Sequence, residues 1–393
     1  MITNKLLENR GIMDQPSNPT PQKPATPTTT PTNISSEKGL QISGEITQLL
    51  DAAVNNDASD LHLSYGVPPT LRIDGRLVPI EGKTALSAEQ VQKLVFSFMT
   101  QDQRERFLQR KEVDFSFSYG GKIRFRVNVF YEKGYVAAAL RLISTTIRTL
   151  EQLNLPPILE KFTLASQGFV IITGPTGHGK STTLAAIIDH INRTRSEHVV
   201  TVEDPIEYIF NNDKSIIQQR EVYADTLSFA RALRSILRED PNVVLIGEMR
   251  DLETIEAGLT IAETGHLVLT TLHTNKAAET ADRIIDVFPP HQQQQVRSQL
   301  ANVLLGVVSQ RLIPKIGGGR VPAVEVMLAN SAVRNVIREG KTYQLPNIIS
   351  TSVSEGMINL DKVLADLVSK GEITVDDALT WSSDPKSLKM SIY

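Results

Sequence analysis

Apolar and polar positions divide the chain into a tail and two globular stretches. Residues 14–33 are almost all Pro, Thr and other small or polar residues, and such a composition buries too little apolar surface to offset the entropy of ordering a chain. From about residue 40 the pattern becomes globular, and from about residue 150 its texture changes again. The sequence therefore predicts a disordered tail over residues 1–38, a first domain over 39–145 and a second domain over 146–393.

The first domain combines helix and strand patterns. GEITQLLDAAVNN has helical spacing, DLHLSYGVPPTLRIDGRLVPI alternates as strands around a turn, and SAEQVQKLVFSFM opens with a serine N-cap. Strict alternation on both sides of Gly120 and Gly121 predicts an antiparallel hairpin. Because successive strand side chains point to opposite faces, one face is predicted to be apolar (Ile123, Phe125, Val127 and Val129) and the other cationic (Arg124, Arg126 and Asn128).

The second domain has four short apolar runs separated by helical stretches: FVIITGP, HVVTVEDP, NVVLIGEM and GHLVLTTLH. Such runs are typical of strands buried on both faces, and alternation with helices predicts an α/β fold with a parallel sheet. In that architecture ligands bind at the carboxyl ends of the strands, where each of these runs becomes polar. After residue 330 the pattern predicts small helices, including SAVRNVIREGK and LDKVLADLVSKG.

Composition excludes several classes of function. The formal charge of −3 gives no overall basic field, and aromatic residues make up only 5% of the chain, so a nucleic-acid translocase is not indicated. With no cysteine the chain has neither disulfides nor a thiolate zinc site. Because no apolar run approaches the roughly 20 residues that span a bilayer, we expect a cytoplasmic protein without an integral membrane segment.

A phosphate-binding loop is the strongest motif in the sequence. Gly174, Gly179, Lys180 and Ser181 satisfy G-x-x-x-x-G-K-[ST], between the predicted strand FVIIT and the predicted helix STTLAAIIDHI. Glycines let backbone amides approach the phosphates, the lysine reaches the β- and γ-phosphates, and Ser181 ligates Mg²⁺. The predicted nucleotide-binding residues are Gly174, Pro175, Thr176, Gly177, His178, Gly179, Lys180, Ser181 and Thr182, and no side-chain chemistry is assigned to His178.

Acidic residues follow two of the predicted strands. Glu248 comes after VVLIG, where a carboxylate can hold the Mg²⁺ shell, and the alternative is that it only pairs with Arg250. Glu203, Asp204 and Glu207 cluster in VEDPIEY, and such acids repel one another unless a cation or solvent relieves them. We predict Glu207 as the base that orients the attacking water, with Glu203 as second candidate, against the alternative of a solvated acidic loop.

Two histidines flank the run LVLTTL. His266 precedes it and His273 follows it, and either could sense the γ-phosphate or the neighbouring domain. A satisfied structural histidine explains each equally well. Because no third ligand is apparent near them, a metal site at these histidines is not expected.

These motifs together resemble the pilus retraction ATPases of the secretion-ATPase superfamily. GPTGHGKSTT is similar to their Walker A motif, VEDPIE to the Asp box, LIGEMRD to Walker B, and AETGHLVLTTLHTNKAAETADRIIDVFP to the His box. AVRNVIREGKTYQLPNIIS is similar to the AIRNLIRE motif that is linked to retraction. The resemblance extends from about residue 42 to the end of the chain.

The resemblance implies an N-terminal PAS-like domain and a C-terminal RecA-like P-loop domain, assembled as a homo-hexameric ring with Mg²⁺ and ATP between subunits. Glu248 matches the family's Walker B glutamate and Glu207 its catalytic glutamate. Arg126 and Arg141, with Arg124 behind them, match arginines that reach a γ-phosphate. The family implies a motor that acts on an inner-membrane pilus platform protein from the cytoplasmic face and drives twitching motility and DNA uptake. Two features depart from it: His178 replaces a small residue, and the tail has no counterpart.

Three alternatives compete with a retraction motor. A pilus-extension or type II secretion ATPase shares the nucleotide motifs, but those motors typically carry a four-cysteine zinc subdomain that this chain cannot build. An accessory paralogue that binds and supports the principal retraction ATPase stays open, and activity or genetics would decide it. A catalytically dead scaffold would be expected to have lost its acids or Lys180, and all of them are present.

Overall fold

The computed structural model describes residues 43–73, 75–120, 123–143 and 146–392. The tail predicted over residues 1–38, and Gly121 in the predicted hairpin turn, lie outside the described residues. The described residues fall within one compact unit, so the domain boundary expected near residue 145 stays a prediction. None of the helices within these ranges is both long enough and apolar enough to cross a membrane.

An antiparallel sheet forms the amino-terminal part, with strand order β3-β2-β1-β6-β5-β4. Its strands are β1 (Asp60–Leu63), β2 (Thr70–Ile73), β3 (Arg76–Pro79), β4 (Glu112–Tyr119), β5 (Ile123–Glu132) and β6 (Tyr135–Ile143). Three helices accompany it: α1 (Gly44–Asn55), α2 (Ala88–Ser97) and α3 (Gln101–Arg110). Ser87 caps α2 in a full capping box with Gln90, which confirms the predicted helix start.

The predicted hairpin is β4 and β5, whose residues pair antiparallel from Glu112 with Phe130 to Tyr119 with Ile123. Phe125, Val127 and Val129 are fully buried in the core between this sheet and the helices. The prediction of an apolar face is therefore confirmed, and the arginines of β5 lie on the opposite face.

A second, mostly parallel sheet has strand order β13-β12-β7-β11-β10-β8-β9, with only β12 and β13 antiparallel. Its strands are β7 (Gly168–Thr173), β8 (His198–Glu203), β9 (Ile216–Glu221), β10 (Val243–Ile246), β11 (Leu267–Leu272), β12 (Leu304–Pro314) and β13 (Arg320–Leu328). The four predicted apolar runs are the strands β7, β11, β10 and β8. Phe169 and Ile171 enter one core, and Val170 and Ile172 enter another. Burial on both faces explains why these runs are continuously apolar.

Helices cover the second sheet and complete the carboxyl-terminal part. They are α4 (Glu160–Leu164), α5 (Lys180–Thr194), α6 (Phe229–Ile236), α7 (Leu252–Glu263), α8 (Ala277–Asp286), α9 (Pro290–Val303), α10 (Ser331–Glu339), α11 (Leu345–Thr351), α12 (Leu360–Ser369), α13 (Val375–Trp381) and α14 (Pro385–Ile392). The α/β fold with a parallel sheet is confirmed. Helices α10 and α12 coincide with the two helices predicted after residue 330.

The first arginine of the AVRNVIRE segment, Arg334, has a structural role at the end of α9. The Arg334 guanidinium donates to the carbonyl oxygens of Ala301, Asn302, Leu304 and Ala329 at 2.5–2.9 Å. Carbonyls in the last turn of a helix have no partner within the helix, so a cationic donor there is favourable. Part of this segment's sequence therefore serves the fold.

Replacing Arg334 with Ala is expected to lower the free energy of unfolding by about 2–3 kcal/mol, because the α9 carbonyls lose a charged donor. Arg338 is a matched control on the same helix, since it is exposed and, among the described residues, donates only to the Asn302 side chain, at 3.3 Å. Its replacement with Ala is expected to cost about 0.5 kcal/mol or less. Urea unfolding of both variants measures the difference, and equal midpoints would contradict this role of Arg334.

Candidate nucleotide site

The phosphate loop runs from the end of β7 to the start of α5. Gly174 and Gly179 have φ values of 139° and 83°, which favour glycine. A Cβ on Gly174 would lie 2.3 Å from the Gln310 carbonyl oxygen, and one on Gly179 would lie 2.7 Å from Gln310 Nε2. Gly174 therefore requires glycine for backbone conformation and for space, and Gly179 requires it for backbone conformation.

The loop presents unused donors to a ligand. Helix α5 begins after Gly179 without a side-chain cap, so amides of its first turn are free to bind an anion. Lys180 is buried, and its Nζ donates to the carbonyls of Gly174 and Pro175 at 2.9 and 3.0 Å. Burial lowers the pKa of Lys180 from its ordinary 10.5. This arrangement fits the phosphates of a nucleotide.

Two of the predicted carboxylates lie near this lysine. Glu207 and Glu248 both act to raise the pKa of Lys180, which partly offsets its burial. Glu248 also pairs with Arg250 Nη2 at 2.8 Å and lies 3.4 Å from His273 Nε2. The Glu248–Arg250 pair, which the sequence offered as an alternative role for Glu248, is thus present. Glu248 also lies just after the end of β10, next to the phosphate loop. Ser181 and Glu248 supply oxygen donors, which suit Mg²⁺.

Glu203 differs from Glu207 in its surroundings. It is buried, and it accepts hydrogen bonds from Thr201 Oγ1 at 2.6 Å and from Gln219 Nε2 at 3.2 Å. Burial raises the pKa of Glu203 to about 7. Glu207 is half-buried and more open than Glu203. The geometry therefore favours Glu207 over Glu203 as the group that meets a water molecule.

The raised pKa of Glu203 makes stability depend on pH. Because the folded state binds the proton more tightly than the unfolded state, this contribution is fully present below pH 4.5 and is lost as pH rises through about 7. Glu203→Gln keeps both accepted hydrogen bonds without a charge. In the absence of nucleotide, the free energy of unfolding of this variant is expected to exceed that of wild type by about 2 kcal/mol above pH 7. At pH 4.5 the two proteins are expected to be equally stable. A variant less stable than wild type at pH 8 would contradict this.

The two histidines of the His box lie at opposite ends of β11. His273 is at the carboxyl end with Glu248, where the phosphate loop also lies. His266 is at the amino end, and its Nδ1 lies 3.1 Å from both Thr264 Oγ1 and the Ile261 carbonyl. The structure therefore brings His273 to the candidate site and leaves His266 at the other edge of the sheet.

The hairpin of β12 and β13 supplies contacts that sequence reasoning missed. Gln310 Nε2 donates to the His178 carbonyl at 2.9 Å, and Gln310 Oε1 accepts from Thr183 Oγ1 at 2.7 Å. Arg320 Nη1 donates to the Gly177 carbonyl at 3.2 Å. A cleft of about 310 Å³ beside the loop is lined by residues that include Arg148, Gln152, Gly179, Thr182, Gln310 and Arg320. Its position suits the base and sugar of a nucleotide.

Comparison with known proteins decides the family. The model of the family described as "Type II/IV secretion system protein" matches residues 36–319. The chain belongs to this family. The predicted resemblance to pilus retraction ATPases is also confirmed, because the chain is 47% identical over 348 residues to the type IV pilus retraction ATPase PilT of Pseudomonas aeruginosa, covering 87% of this chain and 99% of that protein.

Two further comparisons also match this chain to pilus ATPases. The type IV pilus ATPase PilU of Pseudomonas aeruginosa is 42% identical over 349 residues, covering 88% of this chain and 91% of PilU. The crystal structure of the pilus retraction motor PilT with bound ADP matches with a TM-score of 0.82 and 47% identity, covering 87% of this chain and 98% of that one.

The predicted arginines of this secretion-family chain occupy one face of the antiparallel sheet. Arg126 on β5 is paired in register with Arg141 on β6, so both side chains share a face. Arg141 Nε lies 3.0 Å from Asp60 Oδ1, and Arg124 forms an ion pair with Glu221 at the end of β9. The Arg141 side chain is nevertheless 68% exposed and accessible to solvent.

Proposed function

We propose that this chain is an ATP-hydrolysing motor that works as a homo-hexameric ring and powers retraction of a type IV pilus. The observation that carries this proposal is the phosphate loop with buried Lys180 and two neighbouring carboxylates, in a chain that covers 99% of a pilus retraction ATPase at 47% identity. The division into a PAS-like domain over 39–145 and a RecA-like domain over 146–393 is part of the proposal.

In the proposed mechanism, Glu207 orients and deprotonates the water that attacks the γ-phosphate. Lys180 leaves the carbonyls of Gly174 and Pro175 and binds phosphate oxygens, and the amides at the start of α5 bind the others. Ser181 and Glu248 would hold Mg²⁺, Glu248 partly through water, and the ion neutralises charge on the phosphates when bound. His273 orients Glu248 from its other side.

Arg126 and Arg141 are proposed to act on the nucleotide of a neighbouring subunit. An arginine supplied in trans stabilises the charge that spreads over the transferring phosphoryl group. Exposure of the Arg141 side chain supports this role, since Asp60 holds the arginine in place and leaves it accessible. ATP binding would close each antiparallel sheet over the adjacent parallel sheet, and hydrolysis would reopen it.

The partner in this proposal is an inner-membrane pilus platform protein, which the ring meets at the inner face of the cytoplasmic membrane. Successive closures around the ring would turn or displace the platform, so that pilin subunits return to the membrane. A second candidate is an accessory retraction ATPase that supports a principal motor, and the 42% identity to PilU supports it.

Deleting the gene in its own host tests the proposed function. Excess surface pili on cells that do not move over surfaces and do not take up DNA are expected from loss of the retraction motor. Bald cells would instead identify an extension motor. Excess pili with normal retraction force on the few motile cells would favour the accessory paralogue. Complementation with wild type and with Lys180→Gln separates loss of ATP binding from loss of the protein.

A further inference from the structure

His178 lies in the phosphate loop between Gly177 and Gly179, and it contacts two other elements. Its ring nitrogen Nδ1 lies 2.9 Å from the backbone nitrogen of Leu312 on β12. Its ring meets the Trp381 ring of α13 edge to face, with 5.0 Å between centroids and 63° between planes. The side chain is half-buried, so these contacts hold it against the body of the protein.

The contact with Leu312 has a reason in the sheet. Strand β12 pairs with β7 only as far as Ser309, which lies opposite Thr173. β7 ends there, whereas β12 continues to Pro314. The Leu312 amide therefore lies beyond the end of its neighbour strand, and the imidazole accepts the hydrogen bond in its place. A small side chain at position 178 would be too short to reach the same amide.

This hydrogen bond fixes the charge state of the imidazole. A backbone amide can only donate, so Nδ1 must be unprotonated and the ring neutral. Burial lowers the pKa of His178 below its ordinary 6.5, and three cations that face the ring lower it further: Arg311 from β12, Arg320 from β13 and Lys180 from the loop. Since the folded-state pKa is depressed, the hydrogen bond is fully present above pH 6.5 and is lost as pH falls through the folded value.

Trp381 connects the same ring to the carboxyl-terminal helices. Arg311 also stacks on this tryptophan, with 5.9 Å between its Cζ and the ring centroid. Trp381 packs against the apolar cluster that joins α12–α14 to the ends of β12 and β13. The imidazole is thus the point where loop, β12 and carboxyl-terminal helices meet.

We propose that His178 is a positioning residue for ATP: its neutral imidazole fastens the phosphate loop to β12 and to the helix that carries Trp381. This inference rests on the proposed function, because it concerns the same nucleotide site. It gives a role to the residue by which this chain departs from the small residue usual in the family's loop. Affinity for ATP is then sensitive to protonation of one side chain outside the set that performs the chemistry.

The first test measures binding of a non-hydrolysable ATP analogue with Mg²⁺ to the full chain by calorimetry between pH 5.5 and 8. At pH 8, His178→Ala is expected to bind about fivefold more weakly than wild type, the effect of one lost hydrogen bond. As pH falls through the depressed pKa of His178 the two affinities converge, because wild type loses the same bond. His178→Asn places an acceptor near the Nδ1 position without a titrating group, and is expected to recover most of the lost affinity with a flat ratio to His178→Ala.

A histidine elsewhere on the same segment is the matched control. His190 lies further along α5 beside Asp189, and His190→Asn is expected to keep the wild-type affinity and its pH profile. Equal binding by wild type and His178→Ala at pH 8 would overturn the inference alone. A wild-type advantage that grows on acidification would also overturn it, since a cationic imidazole would then be attracting the phosphates. Failure of the wild-type chain to bind the analogue would overturn the proposed function as well.

The second test uses Trp381, which is the chain's single tryptophan. Protonated imidazole quenches indole emission, so wild-type emission is expected to fall on acidification with a midpoint below pH 6.5. His178→Ala is expected to show no such transition, and circular dichroism at each pH establishes that both chains stay folded. The same transition in both chains would show that Trp381 does not sense His178.

Discussion

Replacing Glu207 with Gln is expected to lower kcat for ATP hydrolysis by about two to four orders of magnitude, and to leave the affinity for ATP within about twofold of wild type. Gln keeps the size of the side chain but cannot accept the proton of the attacking water. Glu207 is half-buried, and its charge acts to raise the pKa of Lys180. Steady-state hydrolysis and calorimetric binding on the same preparation separate turnover from affinity.

Glu203→Gln is the matched control for this experiment. Both changes convert a glutamate of the same segment into an amide, but Glu203 is buried and holds Thr201 and Gln219. We expect Glu203→Gln to keep a kcat within about tenfold of wild type, because its hydrogen bonds survive the change. A larger loss in Glu203→Gln than in Glu207→Gln would exchange the two assignments.

Replacing Arg141 with Ala, or Arg126 with Ala, is expected to lower kcat by about three to five orders of magnitude, as for other arginines supplied in trans to a γ-phosphate. Arg72 is the control, since it lies on the same sheet and its Nε lies 3.8 Å from the same Asp60 carboxylate. Arg72→Ala removes a cation from the neighbourhood of Asp60. Because Arg72 is not among the arginines proposed to reach the nucleotide, this change is expected to alter kcat by less than about threefold.

Mixed rings distinguish an arginine acting in trans from one acting within its own chain. Arg141→Ala supplies an intact Glu207, and Glu207→Gln supplies an intact Arg141. If the two groups act from different subunits, mixing these inactive variants creates some interfaces with both groups and restores a part of hydrolysis. No recovery after verified subunit exchange would place both groups on one chain and contradict the proposed geometry.

Much of the fold was predictable because its signals are local. The alternation through β5 fixed which face of that strand is buried, and the continuous apolar runs predicted strands covered on both faces. The phosphate loop was predictable for the same reason, since its spacing and its flanking strand and helix are contiguous in the sequence. These features depend on neighbouring residues, and local pattern is enough to predict them.

The remaining parts of the site depend on contacts between distant residues. Gln310 lies 132 positions from His178, and Arg124 lies 97 positions from its partner Glu221. No local periodicity reports such pairs. One signal was available: Ser309, Gln310 and Arg311 interrupt an apolar strand, and all three are buried. Buried polar residues in a strand need partners: Gln310 finds its partners in the phosphate loop and α5, and Ser309 and Arg311 both donate to the Asn275 carbonyl.

The contacts of Lys180 bear on how quickly the site can capture its ligand. The glycines of the loop already hold their left-handed conformations, and Lys180 lies within the loop and has only to exchange two carbonyl partners for phosphate oxygens. A loop that must first order itself spends conformational entropy and time on each encounter, whereas a preorganised loop does not. Association of ATP is therefore expected to be limited by diffusion into the cleft, and the cycle time of the motor is left to the slower steps that follow capture.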